Sequence, residues 1–417
     1  MKKVILYAVA ASIICCNYSC NKENAPIQDD FPEDPQSFEP IELTVKQGEK
    51  ANADNRFAFN MFKEVSALEG ANTFFSPLSL NIALGMLYNG ASGATRTEMA
   101  EVLGMADFTA TEINEYYQKV SQALLKIDPL TEIGIANSIW YRDGFPVRQL
   151  FIDVNQNYFD AVVEALDFSK SDAADIINQW CADKTKDKIK GIIEQQIPDN
   201  VMMYLINALY FKSKWQSKFN TWDTKQDNFT KANNVKKEVH LMEQTTPFPY
   251  YADKHLQCVE IPYGNRAFSM VAVLPADNMN IDELINYLDD TKWQNIIKNL
   301  RKQNVRLRLP RFKIECNILL NQPVKNVGMK RIFSGNFANI SDFPFLVSYI
   351  KQKTFVEVNE NGTEAAAVTV IGGASSPGPV DPVTSVPFFT NRPFLYLIKE
   401  KSTGAILFIG RMDDPNE

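Results

Sequence analysis

The chain is predicted to fold as a large α+β domain, and three observations predict it. Helix-start signals cluster early, at Ser76-Pro77 and again over residues 95–104. Apolar stretches of strand length recur from residue 135 onwards, without the regular strand-helix alternation of a parallel α/β sheet. Near the end, two almost continuous apolar runs at 394–398 and 405–409 are joined by a short polar connection, the pattern of a buried hairpin. The 417 residues are 45% hydrophobic and 22% charged, ample for a sizeable core. Length alone would suggest about two or three domains.

Taken in order, Lys2 and Lys3 precede an apolar run over residues 4–14, which reads as a short export signal because a membrane span needs about twenty apolar residues. Ser19-Cys20 is similar to the cleavage and lipidation junction of bacterial lipoproteins. Asn17 and Tyr18 depart from the small or aliphatic residues of that junction, so Cys16 stands as an alternative to Cys20, and an ordinary cleaved signal peptide as another. Residues 21–41 are acidic and carry Pro26, Pro32, Pro35 and Pro40, the composition of an extended tether. Ser76 followed by Pro77 is a good helix start, a hydroxyl for the orphan amides and a proline in the first turn. Leu80, Ala83, Leu84 and Leu87 then mark an apolar face. Thr95 with Glu98 predicts a capping box, and Gly104 a stop after Leu103.

Residues 135–141 and 203–211 read as strands buried on both faces, with a helix from residue 173 between them. Residues 268–274 and the cleanly alternating Val305-Arg-Leu-Arg-Leu309 add further strands. Lys184-Thr-Lys-Asp-Lys-Ile-Lys190 is the richest basic run, but Asp187 interrupts it and it reads as a solvated helix face. With a net charge of -7 and no dense basic patch, nucleic acid is excluded as a partner. Cys181, Cys258 and Cys316 give no disulfide framework and read as small buried hydrophobes.

Enzymatic chemistry finds no footing. His240 and His255 are the only histidines, neither in a catalytic or metal motif, and no Gly-x-Ser-x-Gly elbow, Cys-x-x-Cys pair or phosphate loop is present. Cys181 could be imagined as a nucleophile, yet Ile177, Trp180 and Cys181 share helix-face spacing. No cofactor is expected.

Residues 355–371 carry the most information. Thr363, Ala365, Ala367, Thr369 and Ile371 would share one face of an extended chain, none of them charged, while Glu364 points the other way. The chain then enters Gly372-Gly-Ala-Ser-Ser-Pro-Gly-Pro379, which reads as exposed loop. A segment able to be a strand that leads into a loop suits a loop that later becomes a strand.

This segment, Thr354-Phe-Val-Glu-Val-Asn-Glu-Asn-Gly-Thr-Glu-Ala-Ala-Ala367, closely resembles the hinge of the inhibitory serpins. Asn72-Thr-Phe-Phe-Ser-Pro-Leu-Ser79, Leu205-Ile-Asn-Ala-Leu-Tyr-Phe-Lys-Ser-Lys-Trp215, Asn391-Arg-Pro-Phe-Leu-Tyr-Leu-Ile398 and Gly404-Ala-Ile-Leu-Phe-Ile-Gly410 match other signatures of that family in the same order. The resemblance covers residues 42–415 and implies one domain, 42–417, of three β-sheets surrounded by about eight or nine helices, with a reactive-centre loop over about 361–388.

It further implies a monomeric suicide inhibitor of serine endopeptidases. A protease would cut the exposed loop, remain joined to it as an acyl-enzyme, and be carried some 45 Å as roughly fourteen residues at about 3.3 Å each enter the central sheet. The hinge would comprise Glu360, Gly362, Thr363, Glu364, Ala365, Ala366 and Ala367. Ser76, Ser79 and Asn207 correspond to the polar cluster that controls sheet opening, Trp215 to the aromatic where the loop enters, and Gln352 stands where the family commonly has histidine. The family's spacing places Ser376 before the scissile bond, but Pro377 would follow it, so cleavage after Ala374 or Ser375 stands as an alternative. All are small side chains, which points to elastase-like or subtilisin-like proteases, with papain-like ones as a further candidate. The alternative is a serpin-like surface binding module that does not inhibit; a lipid anchor would hold either at a bacterial envelope.

Overall fold

The computed structural model describes residues 38–416 except 71, 345, 349 and 364–384. Thr44 caps the first helix, α1 (Val45–Glu69), in a capping box with Gln47, and Gly70 closes it in the left-handed region. After β1 (Thr73–Phe75), Ser76 caps α2 (Pro77–Gly90) by accepting from the Ser79 amide at 3.2 Å, with Pro77 in the first turn. α2 touches strands of both sheets described below. It is therefore buried on nearly every side, at Leu78, Ile82 and Met86 as well as on the expected face, where Ala83 is only half-buried.

The predicted capping box of the next helix does not form. α3 (Gly93–Val102) starts two residues earlier than Thr95, behind Ser92. Thr95 is buried and its hydroxyl instead accepts from the Asn336 amide at 2.8 Å, while Glu98 accepts from the Arg331 amide. Both side chains bind a distant loop, which outcompetes their own helix end. α4 (Ala110–Leu124) has a capping box of its own, Thr109 with Glu112. It is joined to α1 by Asp54, which accepts from Tyr116 at 2.9 Å, Tyr117 at 3.3 Å and the fully buried Lys50.

The strands β2 (Thr131–Arg142), β3 (Val162–Leu166) and β4 (Met203–Lys214) enclose α5 (Gln149–Phe159) and α6 (Ala173–Lys184) in the chain. β2 is buried on both faces over residues 137–140, as read from sequence, but only half-buried over 131–136 and at 141. The basic run at 184–190 starts at the last residue of α6 and continues past it, with Lys186 and Asp187 at positive φ, so from Thr185 it is a loop and not a helix face. The remaining elements are β5 (Lys225–Thr230), β6 (Lys236–Ala252), β7 (Leu256–Pro262), β8 (Phe268–Pro275), α7 (Ile281–Tyr287), α8 (Asp290–Asn299), β9 (Arg301–Pro310), β10 (Phe312–Leu319), α9 (Asn321–Asn326), β11 (Lys351–Asn359), β12 (Gly362–Thr363), β13 (Val386–Phe389), β14 (Phe394–Glu400) and β15 (Ile406–Met412).

Nine α-helices among the described residues thus surround the strands. By unbroken hydrogen bonding the three expected sheets count as two, one of six strands in the order β10-β11-β12-β4-β2-β3 and one of nine. The fusion is the work of β6, whose 17 residues pair with β5 and β9 along most of their length and with β7 at their end. β9 alternates as its sequence predicts, with Val305, Leu307 and Leu309 all buried. β14 and β15 form the buried hairpin, but β14 runs on through Lys399 and Glu400, both placed in the connection by the sequence reading. Burial of these charges is matched by partners: Lys399 Nζ meets Glu260 at 2.8 Å, and Glu400 accepts from Ser402 and Thr403.

One apolar core lies between the helices and the two sheets, and a smaller one, with Trp140, Phe168, Ile177, Cys181 and Tyr204, lies against α6. Residues Ser37–Glu417 form one compact unit. Ile41, assigned to the extended tether from sequence, packs into the main core and its amide donates to Ser402 Oγ at 2.9 Å.

Candidate functional site

Two strands of the six-stranded sheet, β10 and β11, alternate strictly. On β11, Gln352, Thr354, Val356 and Val358 are buried while the intervening residues are half-buried, and on β10, Phe312, Ile314, Cys316 and Ile318 face the core. β11 ends at a turn that the segment after β4 grips through the backbone. The Trp215 amide donates to Asn361 O at 2.9 Å, the Phe219 amide to Glu360 O at 3.1 Å, and the Trp215 indole N–H to Asn359 O at 2.8 Å. Trp215 also lies flat on Tyr263, ring centroids 4.5 Å apart.

Glu360, at the apex, is 4% exposed. Arg311 holds its carboxylate through Nε at 2.8 Å and through a second guanidinium nitrogen, and the Thr224 hydroxyl donates to the same oxygen at 2.5 Å. Burial opposes ionisation of this carboxyl, but Arg311 and Thr224 outweigh it and hold its pKa below the ordinary value.

From this turn the chain re-enters the sheet as β12, antiparallel to both neighbours. Thr363 pairs with Val358 of β11 and with Ser213 of β4, and Gly362 with Asn359 and Lys214. Gly362 is required here. A Cβ at this position would stand 2.0 Å from Ser213 O and 2.7 Å from Lys214 Cα, and its φ of +152° lies where side-chain-bearing residues rarely go. The Thr363 side chain is buried and its hydroxyl meets the Tyr263 hydroxyl at 2.5 Å.

Beyond these two residues, no strand pairing joins β4 to β11 among the described residues. Their facing edges stand two strand spacings apart at β12, about 9.5 Å. At the other end of the gap lies a cavity of about 80 Å³ lined by Ser79, Leu84, Met203, Asn207, Ile350 and Gln352, among others.

That end is polar at its floor. Gln352 clasps the backbone of Ser76 on both sides, accepting from its amide at 2.7 Å and donating to its carbonyl at 2.9 Å. Ser76 Oγ donates to Leu407 O of β15, and Ser79 Oγ lies 3.4 Å from Asn207 O. The Asn207 amide donates to Asn137 on β2, which donates to Phe159 O. Ser76, Ser79, Asn207 and Gln352 are thus brought together, and Trp215, Glu360, Gly362 and Thr363 form a second group at the gap's mouth. Asn137, Thr224, Tyr263 and Arg311, which complete the two groups, carried no sequence signal, because each meets its partner only through the sheet. Glu364, Ala365, Ala366 and Ala367, the reactive-bond candidates Ala374, Ser375, Ser376 and Pro377, and Cys16 and Cys20 lie outside the described residues.

The cysteines described are free and buried, and burial pushes the Cys181 thiol up to about 12, so it is no thiolate nucleophile at neutral pH. His255 stacks on Tyr287. No helix among the described residues is long and apolar enough to cross a membrane.

A sheet with a two-residue strand at its mouth, closed at the far end by a polar cluster, defines a class of protein. The family model described as serpin, serine protease inhibitor, matches residues 52–415. This chain belongs to the serpin family, whose members are protease inhibitors in general rather than enzymes. It is 32% identical to human serpin B3, over 88% of this chain and 99% of that protein. It is 32% identical to an uncharacterized serpin-like protein of Thermococcus kodakarensis, over 89% and 88% of the two chains. Among solved structures, native tengpin, a thermophilic serpin, matches with a TM-score of 0.81 at 30% identity, over 91% of this chain and 96% of that one.

Proposed function

We propose that this chain is an inhibitory serpin, a suicide substrate of serine endopeptidases. The observation that carries the reading is β12: Gly362 and Thr363 already lie as a strand between β11 and β4, whose edges are unpaired with each other beyond it. Continuing the same antiparallel register opposes Ala365 to Val356 and Phe211, Ala367 to Thr354 and Leu209, and Thr369 to Gln352 and Asn207. The uncharged parity of the hinge then falls on the buried side of β11 and beside the buried Phe211 and Leu209 of β4, and Glu364 on the other side between Lys212 and Glu357.

In this mechanism the protease's serine oxygen attacks a loop carbonyl near Ala374, Ser375 or Ser376. The peptide C–N bond breaks, the new amine stays on the C-terminal fragment, and the loop's N-terminal part stays esterified to the protease. Each further residue that enters adds hydrogen bonds to two strands and buries a small side chain. Insertion and deacylation then compete for the ester. The small residues of the loop favour elastase-like or subtilisin-like targets, with papain-like ones third. Export by residues 1–20, a lipid on Cys20 and an acidic tether over residues 21–41 would place the domain at a bacterial envelope or surface, or release it.

Incubation with elastase-, subtilisin-, trypsin- and papain-type proteases, denaturing gels and the mass of the released C-terminal fragment test this together. A covalent complex and a fragment starting at residue 375, 376 or 377 are expected. Loop cleavage with no covalent complex for any protease refutes inhibition. Fatty-acid labelling that is lost in Cys20→Ser supports the anchor, and labelling that persists places it elsewhere.

A further inference from the structure

Thr363 is the last described residue before the loop, and one side chain sits at its hydroxyl. Tyr263 is fully buried between β7 and β8, and its ring is fixed on several sides. Trp215 stacks on one face, and Phe211 of β4 meets it edge-on with centroids 5.3 Å apart. Its backbone is fixed as well. The Tyr263 amide donates to Phe268 O and the Gly264 amide to Lys214 O, both at 2.9 Å, so the residue is tied to the end of β4.

The next residue shows how closely this corner is built. Gly264 has φ +42°, and a Cβ there would stand 2.2 Å from an Asp128 carboxylate oxygen. Asp128 in turn accepts from the Thr131 hydroxyl, which lies 2.6 Å from Ser213 Oγ, and Ser213 is the residue that pairs with Thr363. The Tyr263 hydroxyl therefore reaches Thr363 from a ring that cannot follow it out of the sheet. Burial raises the phenol's pKa above its ordinary value, so the oxygen stays protonated and able to donate or accept in its contact with Thr363.

We propose that Tyr263 is a positioning residue that holds Thr363 in the sheet of the uncut molecule, so that insertion after cleavage grows from a preformed two-residue strand. This rests on the inhibitory reading above. Starting a new strand costs ordering entropy before its contacts repay it, whereas extending one does not meet that cost again. Holding Thr363 in place removes the starting step from the race against deacylation.

Tyr263→Phe keeps the stacked ring and removes only the oxygen, and Thr363→Val removes the partner hydroxyl at nearly constant shape. Each single variant is expected to raise the moles of inhibitor consumed per protease trapped by about two- to tenfold, the worth of one hydrogen bond, with the rate of loop cleavage unchanged. The double variant should be no worse than either single one, because the two oxygens act as a pair. In the intact protein, amide exchange at residues 362–363 should quicken in Tyr263→Phe while β2 and β4 keep their protection, which a merely structural role would not produce. Multiplicative effects of the two substitutions, or unchanged stoichiometry and exchange in Tyr263→Phe, overturn the proposal. If Tyr263→Phe fails to fold, Thr363→Val carries the same comparison against Thr363→Ser, which keeps the hydroxyl and should behave as the parent. Absence of trapping by the parent protein itself would instead overturn the inhibitory reading, and the exchange measurement would still judge Tyr263.

Discussion

Replacing Thr363 by arginine sets two costs against each other that the structure lets us compare. The side chain at 363 is buried beside the Tyr263 hydroxyl, with no carboxylate among its described contacts. Burying an unpaired guanidinium there would cost at least several kcal/mol. Expelling β12 loses the backbone pairing of two residues and one side-chain hydrogen bond, roughly 2–4 kcal/mol at about 1 kcal/mol for each bond. Expulsion is the cheaper outcome, so Thr363→Arg should leave the protein folded with β12 withdrawn. After cleavage the loop must then start insertion without its first residue, and deacylation gains. The expected result is a protein that proteases cut and release, with the covalent band on a denaturing gel falling at least about tenfold, a change of about 1.4 kcal/mol in the partition. Glu364→Arg, on the outward parity, is the matched control and should trap nearly as well as the parent. An undiminished covalent complex in Thr363→Arg, or equal loss in both variants, refutes the reasoning.

Gly362→Ala should act through the backbone: its methyl would meet Ser213 O, so β12 should detach and trapping fall, with the melting temperature of the remaining fold little changed; unaltered trapping would show that the close approach is unnecessary. Glu360→Gln removes the charge that Arg311 holds. Because the folded pKa is depressed, the ion pair stabilises at pH above the ordinary carboxylate value of about 4.3 and its contribution is lost as pH falls through the lower folded value. The stability gap between parent and Glu360→Gln in thermal melts should therefore be widest near neutral pH and close in acid; a gap independent of pH would exclude the pair. Gln352→Leu orphans the buried amide and carbonyl of Ser76 and should cost about 2–4 kcal/mol in denaturant unfolding. Since Gln does not titrate near neutrality, trapping by the parent should show no pH step traceable to this position, unlike Gln352→His.

Much of the fold was legible where a residue's role is settled by its near neighbours. Ser76 and Pro77 start α2 by chemistry internal to one turn, β9 shows its buried side by strict alternation, and β14 with β15 reads as a hairpin from two apolar runs. The failures share one cause. Thr95 and Glu98 have the spacing of a capping box but bind a loop about 240 residues away, and Lys399 and Glu400 look like a turn until Glu260 and the hydroxyls of Ser402 and Thr403 allow them to be buried. The fusion of two sheets by β6 left no mark in the sequence, because a long strand can change partners without any change in its own pattern.

At the site the division is the same. From sequence alone came the parity of residues 363–371, the small side chains that can enter a sheet and the glutamine at 352, all properties of a single extended segment, whereas the requirement for glycine at 362 comes from the approach of Ser213 and Lys214. Tertiary structure decided where that segment meets the sheet and what holds it there: Arg311 lies 49 residues from Glu360, Thr224 lies 136 from it, and Tyr263 lies 100 from Thr363. Side-chain alternation is a local consequence of backbone geometry and can be read along a chain. A hydrogen bond between buried groups depends on which strands the folded sheets bring within 3 Å, and that is set by the packing of the whole domain.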